Sequence, residues 1–333
     1  MRAVIVKEAG KPFELVEKEV PEPARAEVRV KVEACGVCHS DAFVRGGHYP
    51  GLTLPRTPGH EIAGVVDAVG SDVKTFKKGD RVGVGWHGGH CFTCDACRRG
   101  NFINCKNGKV TGMSFDGGWA EFSVVPAEAL ARMPEGLDAA LAGPLLCAGL
   151  TTFNALRNSG ARPGDTVAVQ GIGGLGHLGI QYAAKMGFRT VALSHGADKE
   201  KLARELGAHE YIDTSKGKAS DALQKLGGAD VILATAPHGE AIASVVNGLS
   251  PRGTLLIVAA APEPVPVSAV SLLSGRRIQG WPSGSSIDSE DTLKFSKLHD
   301  VKPMTEVFPL ERAEEAFQKM LQNKVRFRAV LKP

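Results

Sequence analysis

Four cysteines, Cys91, Cys94, Cys97 and Cys105, fall within fifteen residues at spacings of three, three and eight. Tetrahedral sulfur ligation suits zinc, and spacings this short let one loop wrap a single ion. An iron–sulfur centre is the rival use of four thiolates. Four thiolates would close the coordination shell of a single ion and leave no place for a substrate, so a lobe over 88–108 reads as a structural metal site. A second set is scattered: Cys38 in Cys35-Gly36-Val37-Cys38-His39-Ser40-Asp41, His60 followed by Glu61, and Cys147 in Leu146-Cys147-Ala148. Two thiolates and one imidazole would leave a fourth position open for water or an alcohol. Spacing alone does not bring these three together, and each also reads as an ordinary buried cysteine or a hydrogen-bonded core histidine.

A third pattern is Gln170-Gly171-Ile172-Gly173-Gly174-Leu175-Gly176-His177. Thr166 to Gln170 reads as a short buried strand, and Leu178 onward as a helix. Glycines at 171, 173 and 176 fit the tight turn that lays a pyrophosphate on a helix N-terminus.

These residues need elements to position them. Up to about residue 145 the chain alternates short β segments with turns: Val28–Val32, Glu61–Val69, Gly79–Val84 and Ala120–Val125. A mostly β first domain over 1–150 is expected. Next come strands at Thr166–Gln170, Arg189–Ser194, His209–Ile212, Asp230–Ala234, Thr254–Ala259 and Arg276–Gly280. The segments between them read as helices, among them Lys199–Leu206 and Ala241–Leu249. Six strands with crossovers describe an α/β, doubly wound parallel sheet over 151–284. After Asp288 the pattern turns helical, and residues 313, 316, 317, 320 and 321 make one apolar stripe. The β-like Val325–Leu331 is too short for a domain of its own, so 285–333 is expected to return and complete the first one.

Composition sets the outer limits. The chain has 333 residues, 43 % hydrophobic and 23 % charged, with net charge +4. That is ordinary for a globular protein large enough for two domains. Its basic residues are spread out, which gives no footprint for nucleic acid. Met1–Lys7 reads as a strand of the fold and not a signal peptide, and no apolar run approaches a membrane span, so no membrane partner and a cytoplasmic setting are expected. Seven cysteines, odd in number and clustered, fit metal binding in a reducing compartment better than a disulfide framework.

Taken together, in order along the chain, the Cys-His-Ser-Asp segment, the Gly-His-Glu segment, the four-cysteine lobe, Cys147 and the glycine turn resemble the zinc-dependent medium-chain alcohol dehydrogenases. The likeness is greatest to bacterial, yeast-like tetrameric members, and looser to cinnamyl-alcohol dehydrogenases. The resemblance implies a GroES-like catalytic domain plus a Rossmann cofactor domain, two zinc ions per subunit and NAD, with NADP as the alternative. It implies that Cys38, His60 and Cys147 hold the catalytic zinc and that Asp41 orients His60. Glu61 is then the acidic neighbour of the zinc, and Ser40 the first acceptor of the alcohol proton. His39 and Arg328 would contact the pyrophosphate and Thr151 the nicotinamide. Gly171, Gly173, Gly174, Leu175 and Gly176 would form the cofactor turn.

The chain departs from that pattern in places. A histidine that continues the proton relay in many relatives is here Phe43, so the relay must run through the cofactor ribose and water or through a group such as His48. Trp86 and Tyr49 fall where the family lines its substrate pocket, and Trp281 near the cofactor end; aromatic walls suit a flat or unbranched primary alcohol. An NAD site usually ends its second strand in an acid. Here that position is Ser194, which points toward NADP, yet no arginine follows, only His195 and Lys199. A zinc-free quinone or enoyl reductase is disfavoured by the two intact ligand sets, and a zinc-stabilised, non-catalytic binding protein by the presence of every catalytic ligand. A homotetramer is expected by analogy, with a dimer as the alternative.

Overall fold

The computed structural model describes residues 1–333, which divide into two compact units, Met1–Leu150 with Gly284–Pro333, and Thr151–Ser283.

The first unit is built on a seven-stranded sheet. Its spine is the ten-residue strand Glu27–Gly36, in which alternate residues are buried. On one side it pairs antiparallel with Ile62–Val69 along most of its length. Its other side is shared: Phe122–Pro126 pairs with its first half, and Arg328–Lys332 joins at Cys35 and Gly36. The C-terminal segment therefore does return to complete the first sheet. The helix before it, Ala313–Leu321, buries Ala313, Ala316, Phe317 and Met320, and Phe317 meets Phe13 edge-on with ring centroids 5.0 Å apart. Such a contact adds about 1 kcal/mol beyond burial. Leu321 departs from the expected stripe: as the last helical residue it turns outward and is 40 % exposed.

One helical stretch, Ala139–Arg157, corrects the reading that no apolar run could span a membrane, since its length and hydropathy would suffice. It is instead 89 % buried, as a core helix should be. Asp138 caps its start by accepting from the amides of Ala140 and Leu141. Pro144, which has no amide to donate, sits inside the helix, and the next turn, Leu145–Gly149, widens to a π-helix. Cys147 lies in that wide turn.

The second unit is a six-stranded parallel sheet. In sheet order its strands are Glu210–Asp213, Arg189–Ser194, Thr166–Gln170, Ala229–Ala234, Leu249–Ile257 and Arg277–Gly280. The third, second and first strands in sequence thus lie beside the fourth, fifth and sixth. The order reverses direction at the first strand, where a doubly wound sheet opens its ligand crevice. The helix expected over Ala241–Leu249 is shorter, Gly239–Ser244, because Leu249 already begins the fifth strand.

Candidate active site and metal centres

Three adjacent strand ends assemble the first centre. Cys38 follows the spine strand by two residues, and His60 and Glu61 precede the strand Ile62–Val69. Arg328 opens the strand that pairs with Gly36, and the amide of Val37 donates to the carbonyl of Ala329 at 2.9 Å. Cys147 arrives from the helix packed on this sheet, which Gly143 lets approach closely, while Gly36 makes room for the Glu61 carboxylate. A Cβ on Gly143 would stand 2.9 Å from the Glu61 carbonyl, and one on Gly36 would overlap the Glu61 carboxylate at 1.8 Å.

The result brings one ligand atom each of Cys38, His60, Glu61 and Cys147 within 4.8 Å of one another. The sulfurs of Cys38 and Cys147 are 3.9 Å apart. Two thiolates on one tetrahedral zinc, each at about 2.3 Å, would be separated by about 3.8 Å. His60 and Glu61 are fully buried, yet His60 Nε2 and Glu61 Oε2 have no hydrogen-bond partner. Orphaned acceptors in a dry site are costly, and a cation among them would satisfy both. The residues fit a zinc ion. Glu61 goes beyond the expected three-ligand set, since its carboxylate stands among the ligands as a fourth donor.

Asp41 fixes this geometry from behind. One carboxylate oxygen accepts from the Cys38 amide at 2.8 Å; the other accepts from the Gly59 amide at 3.3 Å and faces His60 Nδ1 at 3.6 Å. That leaves Nε2 as the nitrogen for a metal. Burial disfavours the charged imidazole, but Asp41 and Cys38 outweigh it and raise the His60 pKa well above its ordinary value. Cys38 is pulled well below the thiol range, first by its hydrogen bond with Cys147 and then by His60 and Arg328, while Cys147 moves up. Burial pushes Glu61 up, against the pull of Arg328.

Arg328 is itself buried and pairs directly with Glu61 Oε1. This pairing with Glu61 is one that nothing in the sequence indicated, because the partners lie 267 residues apart. Ser40 is half-buried, with its hydroxyl 3.7 Å from Cys38 Sγ. His39 and His48 are exposed, and so is Phe43. Trp86 stands edge-on to His60, centroids 5.2 Å apart, which makes it a wall of this site. Tyr49 is half-buried against the domain core.

The second centre is the lobe. The sulfurs of Cys91, Cys94, Cys97 and Cys105 also lie within 4.8 Å of one another, with Cys91 to Cys105 at 3.5 Å and Cys94 to Cys105 at 3.8 Å. That spacing has room for one ion and none for a cluster of several irons with bridging sulfides. Backbone amides of Cys91, Cys94 and Asn107 point at these sulfurs from 3.3 to 3.4 Å. Hydrogen bonds from Thr93 and from the amides draw the Cys91 pKa down to about 5, so a thiolate is ready for a metal.

In the second unit, the carboxyl end of Thr166–Gln170 leads into Gly171 at φ +90°. A Cβ on Gly176 would fall 1.8 Å from the Gly171 carbonyl oxygen, so only glycine permits the turn. Gly173 faces open space, and Leu175 precedes the helix Gly176–Lys185. His177, given no role in the sequence beyond its place after the glycine turn, is fully buried, and its Nδ1 lies 2.8 Å from the Gly173 carbonyl oxygen. A trans peptide group directs its C=O and N–H oppositely, so holding that carbonyl inward aims the Gly174 amide outward, toward an incoming phosphate. Lys199 Nζ donates to the Ile172 carbonyl at 3.4 Å, which sets a cation beside the same turn. Ser194 is buried at the end of its strand and His195 is exposed. Thr151 is buried in its helix. Trp281 follows the edge strand Arg277–Gly280, its buried indole N–H without a partner.

Comparisons with known proteins agree with this geometry. A family model for the alcohol dehydrogenase GroES-like domain matches residues 24–135, and one for zinc-binding dehydrogenases matches 174–298. The chain is similar to alcohol dehydrogenase patD of Penicillium expansum, 47 % identical over 99 % of this chain and 97 % of that one. It is 39 % identical to an alcohol dehydrogenase of Geobacillus stearothermophilus, over 100 % of this chain and 99 % of the other. The crystal structure of an NAD-dependent alcohol dehydrogenase superposes with a TM-score of 0.92 at 29 % identity, over 100 % of both chains.

Proposed function

This chain belongs to the zinc-binding medium-chain alcohol dehydrogenases, and we propose that it interconverts primary alcohols, aliphatic or aromatic, with their aldehydes and uses NAD as the cofactor. The observation that carries the reading is the convergence of Cys38, His60 and Cys147 with orphaned, inward-facing donor atoms. When bound, zinc supplies the positive charge that acidifies an alcohol hydroxyl, and the nicotinamide accepts the hydride.

The chain's own residues do the rest. Asp41 accepts from the Cys38 amide and sets a carboxylate oxygen opposite His60 Nδ1, which positions both ligands. Ser40, beside Cys38, takes the alcohol proton and returns it in the reverse direction. Glu61, held by Arg328, would offer the metal a further carboxylate donor beside Cys38, His60 and Cys147. Trp86 narrows the space next to His60, which favours flat or unbranched substrates. Gly171, Gly173, Gly174 and Gly176 receive the cofactor phosphates, and Thr151 adds a further contact from the same unit.

NAD is favoured because no arginine follows Ser194 in the loop 194–199 to hold a 2′-phosphate. The second reading, an NADP-dependent reductase of the cinnamyl-alcohol type, is favoured by Ser194 standing where an acid would be. Seven free cysteines support a reducing, cytoplasmic setting, and a homotetramer is the proposed assembly.

Initial rates with ethanol, benzyl alcohol and furfuryl alcohol, each with NAD and NADP, test substrate and cofactor together. Cys38→Ser should stay folded, retain the lobe metal and lose turnover at least a thousandfold. Appreciable activity in that variant rules out the assignment of this centre as catalytic.

A further inference from the structure

We propose that Asp213 biases this enzyme toward NAD by holding a fixed negative charge under the loop that meets the cofactor's adenosine ribose, an inference that rests on the cofactor reading above and deepens it. In the parallel sheet the register sets Ser194 beside Asp213. Ser194 closes the second strand, where a doubly wound fold reads the ribose 2′ position. The acid missing from that position is therefore supplied by the neighbouring strand.

Asp213 is built into place. Its Oδ1 accepts from the Gly196 amide at 2.8 Å, the Ser215 amide at 2.9 Å and the Ser215 hydroxyl at 2.7 Å. Tyr211, two residues earlier and so on the same face of its strand, donates its hydroxyl to the Gly196 carbonyl. One strand thus clamps both polar groups of Gly196, whose left-handed φ of +78° shapes the loop 194–198. The three donors to Asp213 hold its carboxyl below the usual range, so it is ionised at neutral pH. Its side chain is only 9 % exposed, where a charge is screened less than on the open surface.

The surrounding cations do not cancel it. Lys216 reaches Asp213 Oδ2 at 3.9 Å, but its side chain is 76 % exposed, and such pairs are weak. Lys199 is turned to the Ile172 carbonyl. His195 is exposed, and Asp198 adds a second acid to the same loop. NAD presents a neutral hydroxyl at the 2′ position, whereas NADP presents a phosphate with close to two negative charges at neutral pH. Asp213 leaves the first untouched and repels the second.

The test is the ratio of kcat/KM for NADP to that for NAD in the wild type and in Asp213→Asn. Asparagine keeps an oxygen to accept from Gly196 and Ser215 while removing the charge. The ratio should rise about tenfold, and the gain should shrink in high salt, as a charge effect must. Binding of adenosine diphosphate and of its 2′-phosphorylated analogue, measured by calorimetry, should show the same selective gain without any turnover. A wrong substrate or a wild-type preference for NADP would thus fail separately from this inference. A ratio within twofold of wild type, or equal weakening of both ligands, overturns it.

Discussion

His87 is buried beside Trp86, with Nε2 3.1 Å from Nδ1 of His90. Burial, and then the His90 charge, push its pKa from 6.5 to about 4. Above pH 6.5 the ring is neutral whether the chain is folded or not. As the pH falls below that, the unfolded chain takes up a proton that the fold refuses. Stability is therefore lost between about pH 6.5 and about pH 4 and levels off below, by up to about 3 kcal/mol. His87→Gln, with no such proton to bind, should lose less stability than wild type over that window in urea titrations at stepped pH. Parallel losses in the two proteins would show that His87 is not the group responsible. At this scale the lobe cysteines were legible because their ligation is local: one loop folds four thiols onto one ion. The ligands Cys38, His60 and Cys147 were separable from core residues only through resemblance, since a strand end, a second strand and a helix must meet before they do. The Arg328–Glu61 pair left no signal at all, because it exists only once the last strand has docked on Gly36.

At the scale of elements, the strand, glycine turn and helix around Gly171 could be read directly, since period and glycine spacing encode them together. What held the turn could not. His177 looks like any residue in a helical first turn, and only the fold shows its ring on the Gly173 carbonyl. Losing that bond leaves the Gly173 carbonyl held only by the His177 amide, at 3.2 Å, which should loosen the peptide group and let the Gly174 amide drift. His177→Leu is expected to raise KM for the cofactor about fivefold to tenfold at nearly constant kcat, the equivalent of about 1 kcal/mol. His177→Asn, whose amide can donate from nearly the same place, should recover most of it. If both variants fall equally in kcat and KM, the ring serves packing alone. The helix Ala139–Arg157 carries Pro144 in its interior, which local rules disfavour. The fold tolerates it by widening one turn, and that turn carries Cys147.

For the whole molecule, the alternation between strands and helices was enough to expect two units, and the final β segment had to go somewhere with an open partner. The sheet of the second unit still ends on an unpaired strand, Arg277–Gly280, which is largely exposed along its length. Just before it, Val270 is 74 % and Leu273 82 % exposed. An open edge with bare backbone groups, flanked by apolar side chains, is a liability in a free monomer. A second copy meeting it edge to edge, antiparallel about a twofold axis, would satisfy those groups and cover the side chains together, because such an interface is self-complementary. Light scattering after gel filtration should accordingly give a mass that is a multiple of 35.1 kDa. Replacing Val270 and Leu273 together with lysine sets like charges face to face across the axis and should lower the assembly by one step at micromolar concentration. A wild-type mass of a single chain would remove the argument for this edge, and an unchanged assembly in the double variant would move the interface elsewhere on the molecule.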